Sequence, residues 1–151
     1  MWTRVRFGDQ TDFANIQLGE YLEINPGVTW RPGNRTEVDL SHRYSTLEVE
    51  GGRLFEANQT ELRAVYQINL RMFVRAILQY TDIARNPALY KDEVDAKTEQ
   101  LFPQLLFSYK LNPQTVFFIG YSDNRTADDG NPDLTQQDRT LFTKIGYAWV
   151  F

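Results

Sequence analysis

The stretch Ile16-Gln17-Leu18-Gly19-Glu20-Tyr21-Leu22-Glu23-Ile24-Asn25-Pro26-Gly27-Val28-Thr29-Trp30 decides the fold. Its even positions are large and apolar except Glu20, and its odd positions are mostly polar or small. Strict alternation over this length is the mark of a strand with two unlike faces, because successive side chains leave a strand on opposite sides. The strand segment extends over about Phe13 to Arg31, and Pro32-Gly33-Asn34 closes it as a tight turn.

Working outward, the same period recurs. Val38, Leu40, His42 and Tyr44 oppose Glu37, Asp39, Ser41 and Arg43 in a segment over about Arg35 to Val49, which ends at Gly51-Gly52. Leu62, Ala64, Tyr66 and Ile68 oppose Glu61, Arg63, Gln67 and Asn69 over about Phe55 to Asn69. Met72, Val74, Ala76, Leu78 and Tyr80 follow a turn near Leu70. Leu101, Pro103, Leu105, Phe107 and Tyr109 follow a long polar stretch from Asp82 to Lys97. After the Asn112-Pro113 turn come Phe117, Ile119 and Tyr121, then a second polar stretch from Ser122 to Asp138. The last segment alternates Leu141, Thr143, Ile145, Tyr147, Trp149 and Phe151 with Phe142, Lys144, Gly146, Ala148 and Val150. The best candidate for a short helix is Asp92 to Gln100, inside the first polar stretch.

Composition narrows the class. The net charge of −4 gives no basic footprint for nucleic acid. The absence of cysteine removes disulfides and thiolate chemistry, and a single histidine rules out a His-rich zinc site. No cofactor is expected. The mean hydropathy of −0.49 and the short apolar runs exclude a transmembrane helix, yet a β-barrel conceals its hydrophobicity by alternation. The N-terminus, Met1 to Phe7, has neither the apolar stretch nor the cleavage site of a signal peptide.

Three features point to a slab-shaped apolar solvent. The turns near 32–34, 70 and 111–114 are short, and the connections near 50–53, 82–97 and 122–138 are longer, as in barrels whose turns on one side of a membrane are short and whose loops on the other are long. Counted from each short turn, the apolar face carries about five large residues before polarity returns at Glu20, Asn58, Asp82, Glu99 and Asp123, about the crossing length of a tilted strand. Aromatics mark both borders of this band, with Trp30, Tyr109 and Trp149 at the short-turn side and Tyr44, Tyr80 and Tyr121 at the other. The expected fold is therefore all-β: an antiparallel up-and-down transmembrane β-barrel, or an open fragment of one, with about eight strands. The expected location is the bacterial outer membrane, with outer-membrane lipid as a partner.

The last strand, Lys144-Ile145-Gly146-Tyr147-Ala148-Trp149-Val150-Phe151, resembles the C-terminal targeting signal of outer-membrane barrels. The match lies at Lys144, Gly146, Trp149 and Phe151, with Tyr147 in the alternating series. The resemblance implies that the barrel-assembly machinery reads this strand. The stretches Arg71 to Tyr80 and Phe102 to Lys110, with the Phe-rich strand after them, resemble a group of large outer-membrane proteins. Their N-terminal part is similar to a family-nine carbohydrate-binding module. The similarity spans about the last 130 residues of this chain; the module itself is absent from it, so no carbohydrate-binding activity carries over.

The function expected from these readings is a structural or transport segment that forms or supports a pore. An outer-membrane hydrolase with a site at the loop rim is the alternative class, and a soluble ligand-binding barrel a third. Ser41-His42 invites the hydrolase reading, but adjacent strand residues face opposite sides. The opposite-face charges Glu23, Glu37, Asp39, Arg43, Glu61, Arg63, Arg75, Lys110 and Lys144 suit a polar lumen. Asp123, Asp128, Asp129, Asp133 and Asp138 offer oxygen ligands but lack the spacing of a calcium loop, so a solvated loop is expected. Pro26 and Pro103 fall within the band and should interrupt a ladder. Finally, if Trp2 to Phe7 turns around Gly8 to Asp12, it meets only about Phe13 to Leu18. The membrane-crossing half of the next strand is then without a partner, crossings number about seven, and completing strands are expected N-terminal to this chain.

Overall fold

The computed structural model describes residues 1–12 and 17–148, with the side chain of Gln17 left aside. Eight strands form one antiparallel sheet in chain order: β1 Trp2–Asp12, β2 Gln17–Trp30, β3 Thr36–Val49, β4 Gly52–Asn69, β5 Met72–Arg85, β6 Lys97–Asn112, β7 Thr115–Asp128 and β8 Thr135–Tyr147. Every strand pairs with its sequence neighbours, and among the described residues β1 and β8 do not pair with each other. Among the described residues the sheet is open, and no second layer covers either face.

The three short turns fall where the sequence places them. Gly33, at φ 83, occupies the left-handed conformation that the β2–β3 turn requires. The β4–β5 connection is Leu70-Arg71, where the Asn69 side chain accepts from the Arg71 N–H. The Asn112 side chain does the same for Gln114 in the β6–β7 turn.

The opposite end differs from expectation. The β3–β4 link is only Glu50-Gly51, with Gly51 and Gly52 at φ 108 and 124, so the alternation of short and long connections is not strict. The two polar stretches are strand at their ends, with 86–96 and 129–134 left as the connections. β5 continues to Arg85 and β6 begins at Lys97, while β7 continues to Asp128 and β8 begins at Thr135. A polar side chain ends an apolar band but not a ladder, because the backbone groups still gain by pairing. Asp92 to Gln100 is not helical. A single 3-10 turn forms at Pro87–Leu89 instead, where Asn86 caps the Ala88 N–H and Pro87 supplies a preset φ; Lys97 already belongs to β6.

β1 also corrects the reading of the N-terminal segment. It passes straight through Gly8, whose φ of 149 is open to glycine, and pairs from Trp2↔Gly27 to Asp12↔Gln17. β2 therefore has a β1 neighbour from Gln17 to Gly27, and among the described residues eight strands cross the sheet.

The prolines act as expected. Pro26 pairs with Thr3 on its β1 side, but β2–β3 pairing passes from Ile24↔Tyr44 to Gly27↔Ser41 without it. Pro103 pairs with Leu78, while β6–β7 pairing passes from Leu101↔Arg125 to Gln104↔Ser122.

Candidate functional site

Register sorts the side chains by face. One row of register partners runs Val28↔Leu40↔Leu62↔Leu78↔Pro103, and another Ala76↔Leu105↔Tyr121↔Leu141, so the apolar positions share one face of the sheet. Over the apolar band that face is the open one: Val28 is 44% exposed, Leu62 40%, Leu78 43% and Leu105 50%, whereas Thr46 and Asp123, at its border, are buried. The polar face is the crowded one: Glu23 is 8% exposed, Asn25 7% and Ser108 3%. In a single uncovered sheet, curvature explains this difference. Side chains on the concave face converge, and those on the convex face diverge. The polar face is therefore the concave one, and the usual order of a soluble protein is inverted.

The aromatic residues singled out as a girdle lie on the convex face, as their register partners show. Trp30 stands opposite Val38, Tyr44 opposite Ile24, Tyr80 opposite Leu101, Tyr109 opposite Met72 and Tyr121 opposite Leu141. Their polar ends have neighbours at the upper border of the band. The Tyr80 hydroxyl donates to Glu99 Oε1 at 2.9 Å, and the Arg139 guanidinium lies 6.0 Å from the centroid of the Tyr121 ring. Of the terminal signal, Lys144, Gly146 and Tyr147 lie in β8; Trp149 and Phe151 fall outside the described residues.

On the concave face a polar network joins neighbouring strands. Thr29 donates to Asp39 Oδ1 at 2.6 Å and Arg31 pairs with Glu37 at 2.7 Å across strands, while Tyr21 donates to Glu23 at 2.9 Å within β2. Two aromatic rings on this face cover glycines. A Cβ on Gly27 would lie 2.5 Å from the Trp2 ring, and one on Gly120 would lie 2.3 Å from the Phe142 ring. Each ring stands directly across from its glycine. Sequence reading passed over both pairs; the signal available was a glycine on the polar face with an aromatic at a matching position two strand ends away.

The candidate catalytic pair does not assemble. His42 Nδ1 lies 2.9 Å from the Thr60 hydroxyl on the convex face, and Ser41, on the adjacent position, faces the other way. The acidic residues of the β7–β8 region separate as well. Asp123 is 2% exposed and bonds Arg125, whereas Asp129 accepts from the Ala96 N–H and, at 3.0 Å, from the Lys97 N–H. Among the described residues no cluster of metal-ligating side chains is present.

The loop between β5 and β6 is held at the far end of the concave face. Asn86 N–H donates to Leu54 O at 3.0 Å, beside Leu47 and Leu54, which are 3% and 1% exposed. Tyr90 is half-buried in this loop, and its burial raises the phenol pKa above the ordinary range.

No family model matches the chain, and no curated protein and no solved structure matches it either.

Proposed function

We propose that this chain is a membrane-spanning wall of an outer-membrane β-barrel and that it forms or supports a pore. The observation that carries the reading is the inverted burial: an uncovered apolar convex face behind a crowded polar concave one. Full burial of one Leu or Ile contributes roughly 1.5–3 kcal/mol. In water, leaving Ile24, Val28, Leu40, Leu62, Leu78, Leu105 and Ile119 36–50% exposed forfeits roughly 5–10 kcal/mol, comparable to the whole stability of an ordinary domain. In hydrocarbon the same face is satisfied. The resemblance of the last strand to the barrel targeting signal supports the same location, and Lys144, Gly146, Tyr147, Trp149 and Phe151 are then the residues the assembly machinery reads. The similarity to large outer-membrane proteins with a carbohydrate-binding-like module is of the same kind.

In lipid an unpaired backbone group costs several kcal/mol. The free edges of β1 and β8 therefore take further strands, which the rest of the polypeptide supplies in this reading. The test is membrane fractionation of cells expressing the full polypeptide, followed by reconstitution in planar bilayers. Alkali-resistant membrane association and discrete conductance steps are expected. A monomer that stays soluble in buffer without detergent would overturn the reading.

A further inference from the structure

The two faces differ in charge as well as polarity. Over the stretch that carries the apolar band behind it, the concave face holds Arg4 and Arg6 on β1, Arg43, Arg63 and Arg75 on the central strands, and Lys110 and Lys144 near the short-turn end. Its carboxylates over the same stretch are Glu23, Glu37, Asp39 and Glu61. Glu37 is paired with Arg31, while Asp39 and Glu23 accept from the Thr29 and Tyr21 hydroxyls and keep their charge, so the seven cations outnumber the three unpaired carboxylates.

The cations are left over. Arg4 stands opposite Asn25, Arg43 opposite Gln59, and Arg75 between Val65 and Leu106. Lys110 stands opposite Val116 and Lys144 opposite Phe118. Arg6 and Arg63 do face Glu23 and Asp39 in register, yet none of these seven side chains closes an ion pair with a described carboxylate. The Arg63 Nε is buried with no hydrogen-bond partner. The acidic excess of the chain lies elsewhere. Asp9, Glu20 and Glu48 form one convex row beyond the band, and Glu56, Asp82 and Glu99 continue along that border.

We propose that the concave face is an anion-recognition surface. It favours the passage of solutes bearing carboxylate or phosphate groups over cations. Guanidinium groups present a fixed fork of donors that such groups match, and a lumen wall with an excess of one sign of charge beside low-dielectric surroundings concentrates the opposite sign. The proposal rests on the pore reading above and names the substrate class of that pore.

The experiment is the reversal potential of the full polypeptide in planar bilayers across a potassium chloride gradient. Wild type is expected to pass chloride in preference to potassium. Arg63→Glu/Arg75→Glu should move the reversal potential toward the potassium side and invert its sign, and Arg75→Gln should give a smaller shift in the same direction. Folding of each variant is read from its heat-dependent electrophoretic mobility. Cation preference in wild type, or an unmoved reversal potential in a folded double variant, overturns the anion surface and leaves the pore standing. A complete lack of conductance overturns the pore and this inference with it. Where the double variant does not insert, the reversal potential of wild type alone decides.

Discussion

Gly120 lies directly across from Phe142, and the phenyl ring fills the space that a Cβ on Gly120 would need. Adding that carbon forces the ring off its seat on a face where neighbouring side chains already converge. Gly120→Ala should destabilise the folded sheet by about 1–3 kcal/mol, the usual cost of overpacking. The shift is measured as a lowered midpoint of heat-induced mobility change in detergent. Phe142→Ala in the same chain should remove most of the added penalty. Independent, additive losses would show that the ring does not depend on the glycine.

Leu62 separates a lipid-facing wall from a water-facing one. It lies mid-band on the convex face and is 40% exposed. In water, Leu62→Arg at such a position costs within about 0.5 kcal/mol. At the bilayer midplane an outward arginine costs about 2–4 kcal/mol. Reversible guanidinium unfolding in phospholipid vesicles measures the difference, and a near-neutral result would remove Leu62 from contact with lipid.

Asp129 ties the two outer loops together by accepting from the backbone of Ala96 and Lys97. Asp129→Ala gives up these bonds in an exposed place, where water replaces them, so the loss should be about 0.5–1.5 kcal/mol and local. Faster amide exchange at Ala96 and Lys97 and quicker proteolysis within 86–96 are expected, with an unchanged global melting point. A lowered global midpoint would mean that the loop tie supports the sheet itself.

Tyr90 gives a pH dependence with a definite sign. Its phenol pKa is raised, first by burial, with Asp12 adding to the rise and Arg85 opposing it. The folded state thus holds the neutral phenol more firmly than the unfolded chain. The resulting stability is complete below the unfolded value of about 10 and is lost as pH rises through the folded value. Alkaline absorbance titration should show a late phenolate absorbance change whose amplitude falls by one phenol's worth in Tyr90→Phe. That variant should also keep more of its neutral-pH stability at high pH than wild type does.

The faces of the sheet were legible in the sequence because a period of two needs no long-range information. Trp30, Leu62 and Tyr121 fall on the convex side by parity alone, and parity also separates Ser41 from His42. Strand ends were not legible beyond the band. Asp82, Arg85 and Thr126 read as loop because they are polar, yet they continue ladders whose partners lie across the sheet. The run of β1 through Gly8 was hidden for a similar reason, since glycine reads as a turn until a neighbouring strand is known to pair with it. The surplus of concave cations required register, which shows that Arg75 faces Val65 and Leu106 rather than an acid.

The row that joins Val28, Leu40, Leu62, Leu78 and Pro103 climbs as it crosses the sheet. Val28 lies close to the short turn that ends β2, Leu62 lies farther from its own turn, and Pro103 lies deep in β6. If the three short turns share one depth, the row cannot run parallel to the membrane plane, and every strand must lean. A stagger of this kind is the shear that a sheet needs before it can roll into a ring, and it sets the lean and the diameter together. Strands added at β1 or β8 must continue the same climb. The hairpins present thus fix the pitch that any neighbouring strand would have to follow.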